Sequence, residues 1–273
     1  MNAYRGLVAT VCTSGTVKPQ FSQSLSDMRD WNSRNGFTSI EYKIFDAKLV
    51  EAGRDAVVRH ALKQTYDWIL MIDADAAGWP AAALKRVLEV CYEQIPAVDV
   101  YGAYCQLKQA PYLPTIDTGT GTWEVQHPGQ GVLPVIRTGG HFLFLKTPLL
   151  ARMGEPWFRT RIPYSPAKGF REVDNFSRTK RDGDNPLRLH PEWESLVQEA
   201  SFVSDGAQAA LVGIGEDSGF CDTAKAAGAT IVVDTDLVVG HVGDYVITPT
   251  DLRDAMRDHE RTAHALVGIR GYD

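Results

Sequence analysis

Residues 66–80 read YDWILMIDADAAGWP. Five apolar residues, Trp68 to Ile72, run without a break into Asp73-Ala74-Asp75. A short continuous apolar run is the pattern of a strand buried on both faces, which belongs to a parallel sheet covered by helices. The two carboxylates fall at the carboxyl end of that strand, where open α/β sheets bind their ligands. In an extended segment, side chains i and i+2 point the same way, so Asp73 and Asp75 can face one partner. Two carboxylates so placed repel and are costly to desolvate, which calls for a positive counterpart. Hard oxygen donors at this spacing suit Mg²⁺ or Mn²⁺ held together with phosphates. The competing structural role is capping of the helix that Pro80, suited to a first helical position, is expected to begin.

Outward from this stretch, strands and helices alternate. Arg5–Cys12 and Ser39–Phe45 read as strands, with Ser24–Trp31 helical between them. Arg54–Tyr66 places Val57, Val58, Ala61, Leu62 and Tyr66 on one helical face, and Leu84, Val87, Leu88 and Cys91 form a second apolar stripe. Val98–Cys105 is a further strand. This order predicts an α/β fold, a Rossmann-like three-layer α/β/α sandwich with a mostly parallel central sheet. Residues 108–134 are rich in Pro, Gly and Thr and read as a surface loop. Gly140–Lys146 reads as a strand, followed by a helix from Thr147-Pro148 that Gly154 ends. Gly215–Gly228 reads as a helix with Phe220, Cys221 and Ala224 inward. Ala229–Val239 reads as strand, and Thr248-Pro249-Thr250-Asp251 as a last helix start. No linker divides the 273 residues. The expectation is one domain over 1–273, with a nucleotide-binding half at 1–106 and an acceptor-binding half at 107–273 that carries an irregular insertion near 159–210.

A net charge of −6 argues against general attraction to nucleic acid. No apolar run approaches the roughly 20 residues of a membrane span, and the N-terminal stretch reads as a first strand, so no membrane partner and a cytoplasmic location are expected. The four cysteines, Cys12, Cys91, Cys105 and Cys221, are scattered in apolar contexts without a CxxC pair, as reduced buried thiols would be.

Three ordered segments carry a family resemblance. VEAGRDAVVRHALKQTYDWILMIDAD pairs a small residue, Arg and Asp with a helix and a strand ending in Asp-x-Asp. TGGHFLFLKTPLLARMGEPWF is a strand and helix ending in Pro-Trp-Phe. GEDSGFCDTAKAAGATIVVDTDLVVGHVG is a Gly-Glu-Asp helix, a strand and a Gly-His. Together they resemble the GT-A-type nucleotide-sugar glycosyltransferases, in particular the short single-domain enzymes of phages and bacteria, over roughly residues 5–245. The resemblance implies a GT-A-like fold, a nucleotide-sugar donor (UDP being the usual nucleotide), Mn²⁺ or Mg²⁺, and transfer of a sugar to an acceptor hydroxyl.

It also implies roles. Asp73 approaches the ribose and Asp75 takes the metal, with His241 of VVGHVG completing the metal site. Asp217, beside Glu216 in the Gly-Glu-Asp motif, is the general base of inverting members. In a retaining enzyme Asp217 would orient the acceptor instead, and acidic residues at a helix start are favoured by the helix dipole alone. Thr10 and Cys12 lie by the nucleobase, Asp46 by base or ribose, and Arg54 near the diphosphate or base. Gly139 and Gly140 let a strand pass close to the donor sugar, with His141 beside it or in packing. A second family, the haloacid-dehalogenase-like phosphatases, also ends a strand in Asp-x-Asp and would make Asp73 a nucleophile. Ala77 stands where that family has Thr or Val.

The acceptor reading rests on residues 158–193. Arg159, Arg161, Lys168, Arg171, Arg178, Lys180, Arg181 and Arg188 outnumber four acids over 159–190, and Phe158, Tyr164, Phe170, Phe176 and Trp193 interleave with them. Cations with stacking platforms suit an anionic polymer, so a hydroxymethylated base in phage DNA is one expected acceptor. A glycan or protein acceptor is the alternative, and a solvated loop over the active site is the structural one.

Overall fold

The computed structural model describes residues 4–106, 114–119, 127–159, 161–163, 170–172, 216–242 and 246–247. In chain order its elements are β1 (Gly6–Cys12), α1 (Pro19–Arg34), β2 (Ile40–Asp46), α2 (Val50–Lys63), β3 (Trp68–Ile72), β4 (Ala76–Ala77) and α3 (Ala83–Leu88). The last turns of α3 widen into a π-helix over Glu89–Gln94. There follow β5 (Val98–Tyr104), β6 (Ile116–Asp117), β7 (Val132–Pro134), β8 (Arg137–Thr138), β9 (Phe142–Lys146) and α4 (Thr147–Met153). Then come β10 (Arg161–Pro163), β11 (Phe170–Glu172), α5 (Glu216–Ala226), β12 (Thr230–Val238), β13 (Gly240–Val242) and β14 (Val246–Ile247).

The central sheet has seven strands in the order β2-β1-β3-β9-β5-β12-β7. β2, β1, β3, β5 and β12 run one way, and β9 and β7 run the other, each antiparallel to its neighbours. Side-chain alternation splits its residues between two cores. Leu7, Ala9, Val11, Ile69, Met71, Leu143 and Leu145 pack with Val57, Val58 and Ala61 of α2, Leu149 and Leu150 of α4, and Phe220 of α5. Val8, Trp68, Leu70, Ile72, Phe142 and Phe144 pack on the opposite face with Phe21 and Met28 of α1 and Leu84 and Val87 of α3. The observed architecture is therefore the expected three-layer sandwich about a mixed, mostly parallel sheet.

Three expectations shift. Residues 108–134 are not wholly a loop: Val132–Pro134 forms an edge strand on β12, a position where Pro is tolerated because its missing N–H faces away from the ladder. Pro80 does not begin α3; its carbonyl accepts from Ala83 N–H in a turn, and the helix starts at Ala83. Both helices flanking β2 begin earlier than the apolar periodicity marks, α1 at Pro19 with Phe21 already buried and α2 at Val50. The four cysteines are free and buried, as expected. Among the described residues no helix is long and apolar enough to cross a membrane. Within the basic–aromatic stretch, residue 160, residues 164–169 and those from 173 onward lie outside the described residues, as does the helix start at 248–251.

Candidate active site

The carboxyl edge of the sheet gathers the site. β3 delivers Asp73 and Asp75 just past Ile72, and β5 delivers Cys105 just past Tyr104. β9 runs antiparallel to β3, with Ile72 opposite Phe142. Its beginning, not its end, therefore lies at this edge, which brings Gly140 and His141 beside the Asp pair. β13, after β12, brings His241 by pairing with β4, His241 opposite Ala76. Backbone hydrogen bonds stitch these ends together: Asp73 N–H donates to His141 O (3.0 Å) and Val242 N–H to Asp75 O (2.7 Å).

Behind the pair stands Arg54. It is 2% exposed, and its guanidinium spans two acids, Nη2 to Asp73 Oδ1 at 3.0 Å and Nη1 to Glu216 Oε1 at 2.9 Å. Phe158 lies beneath it, 5.6 Å from ring centre to Cζ. Gly140 passes directly over it: a Cβ there would sit 2.3 Å from Nη1 and 2.5 Å from Cζ. The neighbours of Arg54 on α2 are equally committed. A Cβ on Gly53 would meet Val11 Cγ1 at 2.3 Å, and Asp55 Oδ1 accepts from Trp157 N–H (3.1 Å) and Phe158 N–H (3.0 Å). The Gly-Arg-Asp triplet thus docks α2 on β1, orders the two acids and anchors the Pro-Trp-Phe segment. Arg54 was expected to reach the nucleotide; its fork is instead buried on the acids of the site.

The electrostatics follow from this packing. Burial pushes the Asp73 carboxyl up, but Arg54 and His141 outweigh it and hold its pKa at about 2. Glu216 is raised, because desolvation and the neighbouring Asp217 exceed the help from Arg54. Asp217 opens α5; its Oδ2 accepts from Gly140 N–H (3.1 Å) and its Oδ1 from Ser218 N–H (2.7 Å). A carboxylate has further lone pairs, so Asp217 is oriented rather than used up.

His141 is the residue that sequence reasoning placed least well. Its Nε2 lies 3.2 Å from Gly240 O, the distance of a donated hydrogen bond. Its Nδ1 is buried without a hydrogen-bond partner among the described residues and faces Asp73 Oδ2 at 3.5 Å and Asp75 Oδ1 at 3.7 Å. Burial pushes the imidazole pKa down, but Cys105 and Asp73 outweigh it and hold it well above its ordinary value, so a cation that takes the Nδ1 lone pair between the two carboxylates displaces a proton. Asp73, Asp75 and His141 offer three ligand atoms within 4.8 Å of one another. That buried, unpartnered donor fits a divalent cation. His241, expected in the metal set, has Nε2 3.7 Å from Asp75 Oδ1 and Nδ1 3.0 Å from Gln106 O. The strand-entry pattern Gly-Gly-His carried the signal for His141, but only the reversed direction of β9 shows that it meets the Asp pair.

The remaining expected residues line the same edge farther away. Cys12 and Asp46 end β1 and β2 side by side. Cys12 Sγ donates to Thr16 O at 3.2 Å, Asp46 is exposed, and Thr10 is buried two residues inside β1. The loop after β1 is tied to the Asp pair through Lys18 N–H to Ala74 O, 3.2 Å.

No protein-family model matches the chain, and no curated protein does. Among solved structures it is similar to A197 from STIV, at 17% identity with a TM-score of 0.53, covering 90% of this chain and 91% of that one. It also aligns with a Drosophila β1,4-galactosyltransferase 7 solved with manganese, UDP-Gal and xylobiose, at 11% identity and a TM-score of 0.40 over 88% of this chain and 71% of that one. A CMP:2-keto-3-deoxy-manno-octonic acid synthetase bound to CTP aligns at 10% identity and a TM-score of 0.43 over 96% and 99%. At such identities likeness speaks of fold alone, and what the chain shares with A197 from STIV is its Rossmann-like α/β architecture along nearly its whole length.

Proposed function

We propose that this chain is a metal-dependent glycosyltransferase that moves a sugar from a nucleotide-sugar, UDP being the first to test, to an acceptor hydroxyl. The observation that carries the reading is the unpartnered Nδ1 of His141 aimed between Asp73 and Asp75 at the carboxyl edge of the sheet. Asp73, Asp75 and His141, with His241 beside them, would hold Mn²⁺ or Mg²⁺. When bound, such a cation supplies charge neutralisation to the diphosphate. The chain's own residues do the rest. Arg54 fixes the rotamer of Asp73, Cys12 and Asp46 line the nucleoside side, and Gly140 keeps the strand entry thin above Arg54. Asp217, held by two backbone N–H groups, faces the acceptor side as general base, with Glu216 locked beside it by Arg54. Residues 1–106 supply most of the donor side and 107–273 the acceptor side. The alternative phosphohydrolase needs Asp73 as nucleophile, yet one of its oxygens is bound to Arg54 and the other faces His141. The acceptor proposal, hydroxymethylated phage DNA or otherwise a glycan or protein, rests on the basic–aromatic sequence at 158–193.

Calorimetry of UDP binding with Mn²⁺ and with EDTA, on wild type and Asp75→Ala, tests the donor site. Binding that needs both the metal and Asp75 is the expected result. UDP binding unaffected by EDTA would overturn it, and turnover of a generic phosphate ester lost in Asp73→Asn would favour the phosphohydrolase. For the acceptor, transfer to DNA must weaken steeply with salt; salt-insensitive transfer excludes DNA.

A further inference from the structure

A second group of ligand atoms adjoins the first and shares His141 with it. Cys105, His141 and His241 each offer an atom within 4.8 Å of the others. Cys105 ends the β5 run at 2% exposure, and the two imidazoles are in contact with centroids 3.9 Å apart and planes tilted by 37°. Each ring is oriented by a backbone carbonyl: His141 Nε2 by Gly240 O at 3.2 Å and His241 Nδ1 by Gln106 O at 3.0 Å. A ring that donates one N–H to a carbonyl presents the other nitrogen as a lone pair, the arrangement by which proteins orient metal-binding histidines. The buried Nδ1 of His141, without a hydrogen-bond partner among the described residues, is a ligand atom that this group shares with the carboxylate pair. The thiol lies within hydrogen-bonding reach of both imidazoles, and its 3.7 Å contact with the Gln106 carbonyl is a weak one that a deprotonated sulfur gives up at little cost.

We propose that Cys105, His141 and His241 form a sulfur–nitrogen–nitrogen seat for a thiophilic divalent cation of the Zn²⁺ class, adjoining the carboxylate pair and sharing His141 with it. Thiolate and imidazole select Zn²⁺ or Co²⁺, whereas carboxylates suit Mg²⁺ and Mn²⁺. Because His141 belongs to both groups, the two seats compete for one imidazole, and the chemical softness of the cation decides which is used. The proposal rests on the reading of Asp73, Asp75 and His141 as a metal site, and its test separates the two.

Titration of the full chain with Co²⁺, followed by absorption spectroscopy, reads the seat directly. Saturable appearance of a thiolate-to-cobalt charge-transfer band at one equivalent is expected. Cys105→Ser should abolish the band and lower Zn²⁺ affinity by about tenfold or more while leaving Mg²⁺ affinity unchanged. Asp75→Asn should retain the band, because its carboxylate is not in this seat. Co²⁺ binding without a charge-transfer band, or a Zn²⁺-to-Mg²⁺ preference unchanged in Cys105→Ser, overturns the proposal. In either of those cases metal- and Asp75-dependent UDP binding would still stand, so the failure of one reading does not hide in the other. Should Cys105→Ser not fold, the wild-type cobalt spectrum decides alone.

Discussion

Replacing Arg54 by Met removes one buried cation from between two carboxylates and keeps most of the side-chain volume. Asp73 is held at about 2 against an ordinary 3.8. At about 1.36 kcal/mol per pKa unit that difference is about 2.5 kcal/mol. The Asp73 side chain keeps 28% exposure, and solvent screening reduces its share to about 1–2 kcal/mol. Glu216 loses its partner at the same time and is left desolvated beside Asp217. Breaking a buried pair by removing one member costs about 3–5 kcal/mol, and that is the loss expected here. Urea unfolding should show it as a midpoint lower by about 1–2 M. Because the pair is buried, added salt should not erase the difference, as it would for a surface pair. The acid limb gives a second readout. Asp73 has a depressed folded pKa, so its contribution is present above about 4 and is lost as pH falls toward 2. Arg54→Met should flatten that limb. Arg54→Lys, a point charge that cannot bridge both acids, should recover only part of the stability. A loss below about 1 kcal/mol, or one removed by salt, would refute Arg54 as the residue that organises Asp73 and Glu216.

Gly140→Ala places a Cβ 2.3 Å from Arg54 Nη1, and since that guanidinium is pinned at both ends the strand entry must move. A loss of about 1–3 kcal/mol by thermal melting and weaker Mn²⁺ binding are expected; a neutral melt would show that the entry yields freely. Asp55→Ala strands the Trp157 and Phe158 N–H groups, a loss of about 1–3 kcal/mol that should accompany a changed Trp fluorescence spectrum. Phe220→Ala opens a cavity under the stacked Phe158–Phe220 pair, ring centres 4.5 Å apart, and should cost about 3–5 kcal/mol in urea with Mn²⁺ affinity falling alongside, because Phe158 supports Arg54.

The strands and most helices were legible in the sequence because their signals are local. Trp68–Ile72 is apolar without interruption, and the stripes at Val57, Val58, Ala61 and at Leu84, Val87, Leu88 keep the helical period whatever they pack against. The Asp-x-Asp pair was legible for the same reason, as a charged break at the end of a buried run. The edge strand Val132–Pro134 was hidden, since a Pro-containing edge has the composition of a loop. The partners of the Asp pair were hidden more deeply. Cys105 reads as one more buried thiol, His141 as a residue beside two glycines, and Arg54 as a cation free to meet a phosphate. Their meeting depends on β9 entering the sheet against its neighbours, which places the beginning of that strand at the same edge as the ends of β3 and β5. Periodicity reports which face a residue takes along its own element. Strand direction and order, set by packing across more than a hundred residues of chain, decide which strand ends share an edge, and only the tertiary structure holds that information.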